Sequence, residues 1–170
     1  DHLLLEIPGS VESQVNKLFS EDILKRFGKR VAIVHPEGGR GKAYIDEFWR
    51  KSKLKGVDVN GIVSFQKGRS DYRDPIKNLL GLKFKRERQE ELEILSEIHS
   101  LEKGTSTRRI QTLKPQIDFD WVFVPALPRE ALQIVPAFNY YDAFKLNIIG
   151  GPSWRSRALA KETSNFGKLY

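Results

Sequence analysis

The chain has 170 residues, 39% of them hydrophobic and 11% aromatic, enough for one domain with a packed core. Its formal net charge is +7 and it has no cysteine, which excludes disulfides, thiolate nucleophiles and Cys-ligated metals. No apolar run approaches the roughly 20 residues of a membrane-spanning helix, and basic and acidic residues alternate along the chain, which argues against a nucleic-acid partner.

Leu3–Ile7 reads as a short strand ended by Pro8 and Gly9, and Ser10 offers an N-cap. Val11, Val15, Leu18, Phe19, Ile23, Leu24 and Phe27 recur at helical spacing, which predicts one helix running to Gly28. Arg30–His35 holds a continuous apolar run suited to a central parallel strand. The Gly-rich turn Glu37–Gly41 then opens a helix carrying Ala43, Tyr44, Phe48 and Trp49, and Gly56 ends it. Val57–Phe65 alternates as a strand with one partly wet face. Gly68–Asp71 is a turn, and a short helix follows through Ile76, Leu79 and Leu80.

Residues 83–117 break the alternation with a charged helix bearing Leu92, Leu95 and Ile98, whose Arg86 and Glu90 pair at i,i+4, and then a polar loop. A compact crossover needs none of this, so the stretch reads as an insertion. Beyond it, Trp121–Val124 and Leu146–Ile149 flank one helix through Tyr140 and Tyr141, a βαβ unit whose strands must run parallel. The expected fold is α/β: a doubly wound, mostly parallel sheet of about five strands with helices on both faces. Residues 1–170 form one Rossmann-like lobe with a helical insertion at about 83–117. The sequence starts at Asp1 rather than Met, and any targeting signal is expected outside it.

Several chemistries can be tested against spacing. A P-loop needs Gly-x4-Gly-Lys-Ser/Thr so that amides and a hydroxyl cradle phosphate and Mg²⁺. Counting back from Gly41 and Lys42 puts Pro36 at the first glycine, and Ala43 replaces the hydroxyl. The dinucleotide fingerprint fails as well, with Tyr44 in the third glycine place. His2, His35 and His99 lie in different segments, so neither a metal site nor a base-assisted nucleophile is expected. Asp118 and Asp120 are expected to cap and solvate the loop before their strand. Trp154 either packs over the helix that follows or lines a cleft.

Lys29–Glu37, Gly41-Lys42, Phe48, Val63–Lys77, Asp118–Pro125, Ala131–Tyr141 and Ile149–Trp154 together resemble the second lobe of type I periplasmic binding proteins, the leucine-binding-like receptors. The Arg-rich insertion before Asp118 and the pattern Ala131, Ile134, Pro136 resemble the penicillin-binding protein activator branch. The resemblance implies a non-enzymatic periplasmic lobe, anchored if at all by a segment outside this chain, with no cofactor. It would recognise a small anionic or amino-acid-like ligand, or a cell-wall synthase, together with a second lobe that the sequence lacks. Arg40 stands where the family usually has an aromatic residue.

The ligand-binding candidates are the loops beyond the strand ends: His35, Glu37, Arg40, Arg69, Ser70, Ala126, Ser153 and Trp154. Arg40 and Arg69 would pair with a carboxylate, and Trp154 would supply an apolar wall. Arg86, Arg88, Arg108 and Arg109 are the partner-docking candidates. Alternatives on the same sheet are a solute-binding component of an ABC transporter, a flavodoxin-like or phosphate-binding enzyme, and a signalling receiver domain. The last lacks the acidic cluster and phosphoacceptor Asp it would need.

Overall fold

The computed structural model describes residues 9–83, 88–102, 114–157, 159 and 169. In chain order these form α1 (Val11–Leu18), α2 (Glu21–Phe27), β1 (Arg30–Pro36), α3 (Gly39–Lys55), β2 (Asp58–Phe65), α4 (Arg73–Leu79), α5 (Gln89–Glu102), β3 (Trp121–Val124), α6 (Pro128–Tyr140) and β4 (Asn147–Gly150). A single 3₁₀ turn, Pro152–Trp154, follows β4. The predicted strand Leu3–Ile7 lies outside the described residues, and among the described residues the sheet has four strands where about five were expected.

The strands form one all-parallel sheet in the order β2-β1-β3-β4. Both faces are covered, as the continuous apolar runs of β1 and β3 require. Alternate residues divide between two cores. Ala32, Val34, Val122, Val124 and Ile148 face a layer that includes α4 and α6. Val31, Ile33, Trp121, Phe123 and Ile149 face α1, α2 and α3. In this second core Phe19 meets Phe48 edge-on at 4.9 Å, and Phe48 stacks on Phe123 at 5.7 Å.

One expected helix is two. The chain leaves helical geometry at Phe19 and Ser20, then re-enters it at Glu21. Ser20 followed by Glu21 and Asp22 is itself a helix-start pattern, with two carboxylates at the positive end of α2. The break lets Val15, Leu18, Phe19, Leu24 and Phe27 all turn to the core. Of the aromatics on α3, Tyr44 and Phe48 are buried, whereas Trp49 is 45% exposed.

The bases of the strands are stitched together across the sheet. Asp120 accepts the Arg30 amide at 3.0 Å and the Arg30 guanidinium at 2.6 and 3.1 Å, while its own amide donates to the Arg30 carbonyl. Asp118 and Asp120 were expected to cap and solvate a loop; Asp120 instead joins the starts of β1 and β3. Its carboxyl is held below the ordinary range, chiefly by the hydrogen bonds from Arg30. Trp121, fully buried, donates its indole N–H to the Gly28 carbonyl at 3.0 Å. Asn60 is the extra residue of a bulge in β2, and its amide reaches the Asp118 carbonyl at 2.6 Å.

Candidate functional site

Because β1 connects outward to β2 on one side and β3 lies on the other, the winding reverses between β1 and β3. Crevices in open α/β sheets form at this reversal, beyond the carboxyl ends of the strands. Four loops meet that edge: Glu37–Gly38 after β1, Gln66–Tyr72 after β2, Pro125–Leu127 after β3, and Gly151–Trp154 after β4.

The first loop is tight because α3 starts almost on top of the β1 end. A methyl group at Gly41 would fall 1.7 Å from the Pro36 carbonyl oxygen and 2.6 Å from the His35 ring, so only glycine lets the helix approach. His35 is turned inward, 8% exposed, with Nδ1 donating to the Pro36 carbonyl at 2.9 Å. It therefore braces the turn beneath the site and does not reach solvent to touch a ligand. Arg40, at the start of α3, is exposed, with its guanidinium 6.0 Å from the Tyr44 ring centroid. The Glu37 amide donates to the Phe65 carbonyl at 2.9 Å, which ties this loop to the end of β2.

That tie brings two expected residues together. Glu37 and Arg69 line one polar recess of about 370 Å³ beside the β2 end, with Gln66, Asp71, Asn78 and Lys83. Arg69 and Ser70 are exposed, and their carbonyls are anchored from below. With its amide nitrogen turned toward them, Gln133 of α6 donates to both at 3.2 Å. Asp71 is engaged by the Arg73 amide and guanidinium, and those bonds hold its carboxyl at about 2. Arg73 also lies over the Tyr140 ring, 5.3 Å from its centroid. Gln133 and Arg73 were not among the expected site residues. Their roles depend on α6 lying against α4, which spacing along the chain does not reveal.

At the opposite end of the rim, Ala126 is 3% exposed and serves through its backbone: its carbonyl accepts the Trp154 indole N–H at 2.9 Å and the Ser153 hydroxyl at 3.4 Å. Trp154 thus spans the loops after β3 and β4, and of the two sequence alternatives its place fits the second, since it lines a concavity beside β4. A methyl group on Gly150 would sit 1.9 Å from the Trp154 ring, so the indole lies flat on backbone that only glycine leaves bare. Glu130 caps α6 by accepting the Leu127 amide at 2.9 Å. Leu127 itself is 53% exposed on the rim.

The expected docking arginines divide differently. Arg86, Arg108 and Arg109 lie outside the described residues. Arg88 is 7% exposed rather than on an open face. Its guanidinium grips Glu91 at 2.7 and 2.8 Å and donates to the Lys114 carbonyl at 2.9 Å, pinning the start of α5 to the segment that returns toward β3. A side chain so enclosed cannot also present itself to a partner. Among the described residues, no cluster of His, Asp and Glu is arranged to hold a metal ion. Nor is any helix among them long and apolar enough to cross a membrane.

No protein-family model matches this sequence, and no curated protein matches it. Solved structures do match it in fold. A type 1 periplasmic binding protein from Bordetella pertussis Tohama I aligns over 93% of this chain with a TM-score of 0.61 at 11% identity. A substrate-binding periplasmic protein from Ralstonia solanacearum aligns over 90% with a TM-score of 0.52 at 16% identity. The chain covers 32% and 33% of those proteins' lengths. The fold is therefore that of a segment, about a third of the whole, of type 1 periplasmic binding proteins.

Proposed function

We propose that the chain is a non-enzymatic binding lobe acting in the periplasm, and that its rim holds a small zwitterion of amino-acid type. The recess that Glu37 and Arg69 share carries this reading, because it sets a carboxylate and a guanidinium on one concave surface. The ligand carboxylate pairs with Arg69 and its ammonium group with Glu37. Arg40, at the positive end of the 17-residue α3, adds a second attraction for the anionic end. The fold likeness supports the role, since the Ralstonia solanacearum relative is a substrate-binding protein. A single lobe offers one wall of a cleft, so binding by this chain alone is expected near the millimolar range.

Calorimetric titration with free amino acids, their decarboxylated amines and their N-acetyl derivatives tests the reading. The amino acids should bind, and each blocked form should bind at least tenfold more weakly. Arg69→Ala and Glu37→Gln should each cost the free amino acid a similar factor. Equal binding of all three chemical forms, or indifference to both substitutions, would sink the zwitterion site.

A second reading, contact with a protein partner such as a cell-wall synthase, is favoured by α5. Ile94 and Ile98, four residues apart on this helix, are 57% and 47% exposed. Replacing Ile94 and Ile98 with Ser should weaken such a contact in a pull-down against candidate synthases, with the amino-acid titration unchanged. Retained capture would exclude α5 from the interface.

A further inference from the structure

A larger concavity lies away from the polar recess, on the α1–α2 side of the sheet beside β4. It encloses about 660 Å³, within the range of small-molecule sites. Its floor is apolar and comes from both layers: Leu18 and Phe27 from the helices, Phe123 and Ile149 from the sheet. Trp154 and Pro152 close the end nearest the rim.

Among the described residues the charged groups lining this floor have one sign. Lys17, Arg26, Arg155 and Arg157 border it, and the described lining contains no carboxylate. An apolar trough edged by the exposed cations Lys17 and Arg157 suits a molecule with a long apolar body and an anionic head. We infer that this groove binds a single-chain amphipathic anion, with the alkyl chain along Leu18, Phe27, Phe123 and Ile149 and the head group at Lys17 and Arg157. The concave shape favours one dissolved chain over a bilayer, whose flat surface could not reach the floor.

The site uses residues distinct from the zwitterion recess, sharing with the rim only the Gly150–Trp154 stretch. Each methylene that enters the groove should tighten binding roughly fourfold. Gly151 offers a clean plug. Its backbone is extended, at φ −80° and ψ 174°, and a β-carbon there meets only Gln14 Oε1, at 3.8 Å. Gly151→Leu thus adds bulk at the groove without backbone strain.

The experiment titrates decanoate, octanoate and decyltrimethylammonium, each below its micelle concentration, into the chain by calorimetry, with amide shifts of Gly150, Gly151 and Ser156 read in parallel. Decanoate should bind one to one and move those amides, octanoate roughly fifteenfold more weakly, and the cation not at all. Gly151→Leu should abolish decanoate binding with thermal unfolding unchanged. The double charge reversal K17E/R157E, which alters no buried group, should weaken decanoate at least tenfold and keeps the test decisive if Gly151→Leu fails to fold. Arg69→Ala should leave decanoate binding intact, and K17E/R157E should leave amino-acid binding intact, so the two sites fail separately. The inference is overturned if decanoate does not bind, if the cationic chain binds as well, or if a folded Gly151→Leu binds normally. Attachment to vesicles of anionic lipid without binding of free decanoate would also overturn it, and would point to a membrane surface instead.

Discussion

The two ends of the sheet are built to opposite rules. At the base, where the strands begin, polar groups are matched across neighbours: Arg30 with Asp120, Trp121 with Gly28, Asn60 with Asp118, and Asn147 with Asp120. At the rim, where the strands end, Glu37, Arg40, Arg69 and Ser70 are exposed, with their backbones fixed and their side chains turned to solvent. The difference separates stability from recognition. A matched base holds the strand register, so the rim can keep charges available for a ligand.

The comparison predicts where substitutions hurt. The largest effect should follow Trp121→Ala at the base, which empties a fully buried indole site and orphans the Gly28 carbonyl. A loss of about 3–5 kcal/mol in a denaturant melt is expected. A loss under about 1 kcal/mol would show that the base is not where stability resides. Asp120→Ala should cost about 2–3 kcal/mol, because it strips the Arg30 amide and guanidinium of their acceptor at once. The same variant should leave the amino-acid titration unchanged once the remaining folded fraction is accounted for.

The rim has one exception that sharpens the contrast. Gly150→Ala drives a methyl group into the Trp154 ring, so the indole must leave its seat and give up its bond to the Ala126 carbonyl. The expected cost is about 1–2 kcal/mol, with a red shift in tryptophan emission and weaker decanoate binding. Arg69→Ala, by contrast, should change stability by no more than about 0.5 kcal/mol. If it destabilised the chain as much as Asp120→Ala, the division between base and rim would not hold.

The base was the harder end to read from the sequence, although the fold was not. Continuous apolar runs gave β1 and β3, and turn chemistry placed the end of α3 and the start of α4 within a residue or two, whereas α3 starts at Gly39, inside the expected turn. Asp120 was seen as a loop cap because its partner lies 90 residues earlier in the chain. No local pattern announces a pairing across that distance. Arg88 misled for a related reason: its neighbours are charged and suggest an open face, but the carbonyls that bury it belong to Gly81 and Lys114, on the far sides of the insertion. That Glu37 and Arg69 lie beyond the strand ends was legible because the rule for parallel sheets needs only the order of elements. That the recess is polar while the groove beside β4 is apolar and cationic was not legible. Lys17, Arg26, Arg155 and Arg157 converge only when α1 and α2 pack alongside β4.

The smallest expected effect concerns pH at the rim. Asp71 accepts the Arg73 amide at 2.9 Å and its guanidinium from two directions, which lowers its carboxyl from 3.8 to about 2. A depressed folded-state value means that the pairing stabilises the fold fully above about pH 4, and that this contribution is lost as pH falls toward 2. Both side chains are about half exposed, at 51% and 52%, so solvent screens the pair and a melting curve should barely register the loss. The carboxyl resonance reports it directly: an NMR titration of Asp71 should show a midpoint near 2. Arg73→Ala should return that midpoint toward 3.8 and free Tyr140 from the guanidinium above it. A native midpoint near 4 would mean that the Asp71–Arg73 clamp is open in solution. The β2 loop would then be held to the rim by Gln133 alone, and Gln133→Ala should weaken amino-acid binding more than Arg73→Ala does.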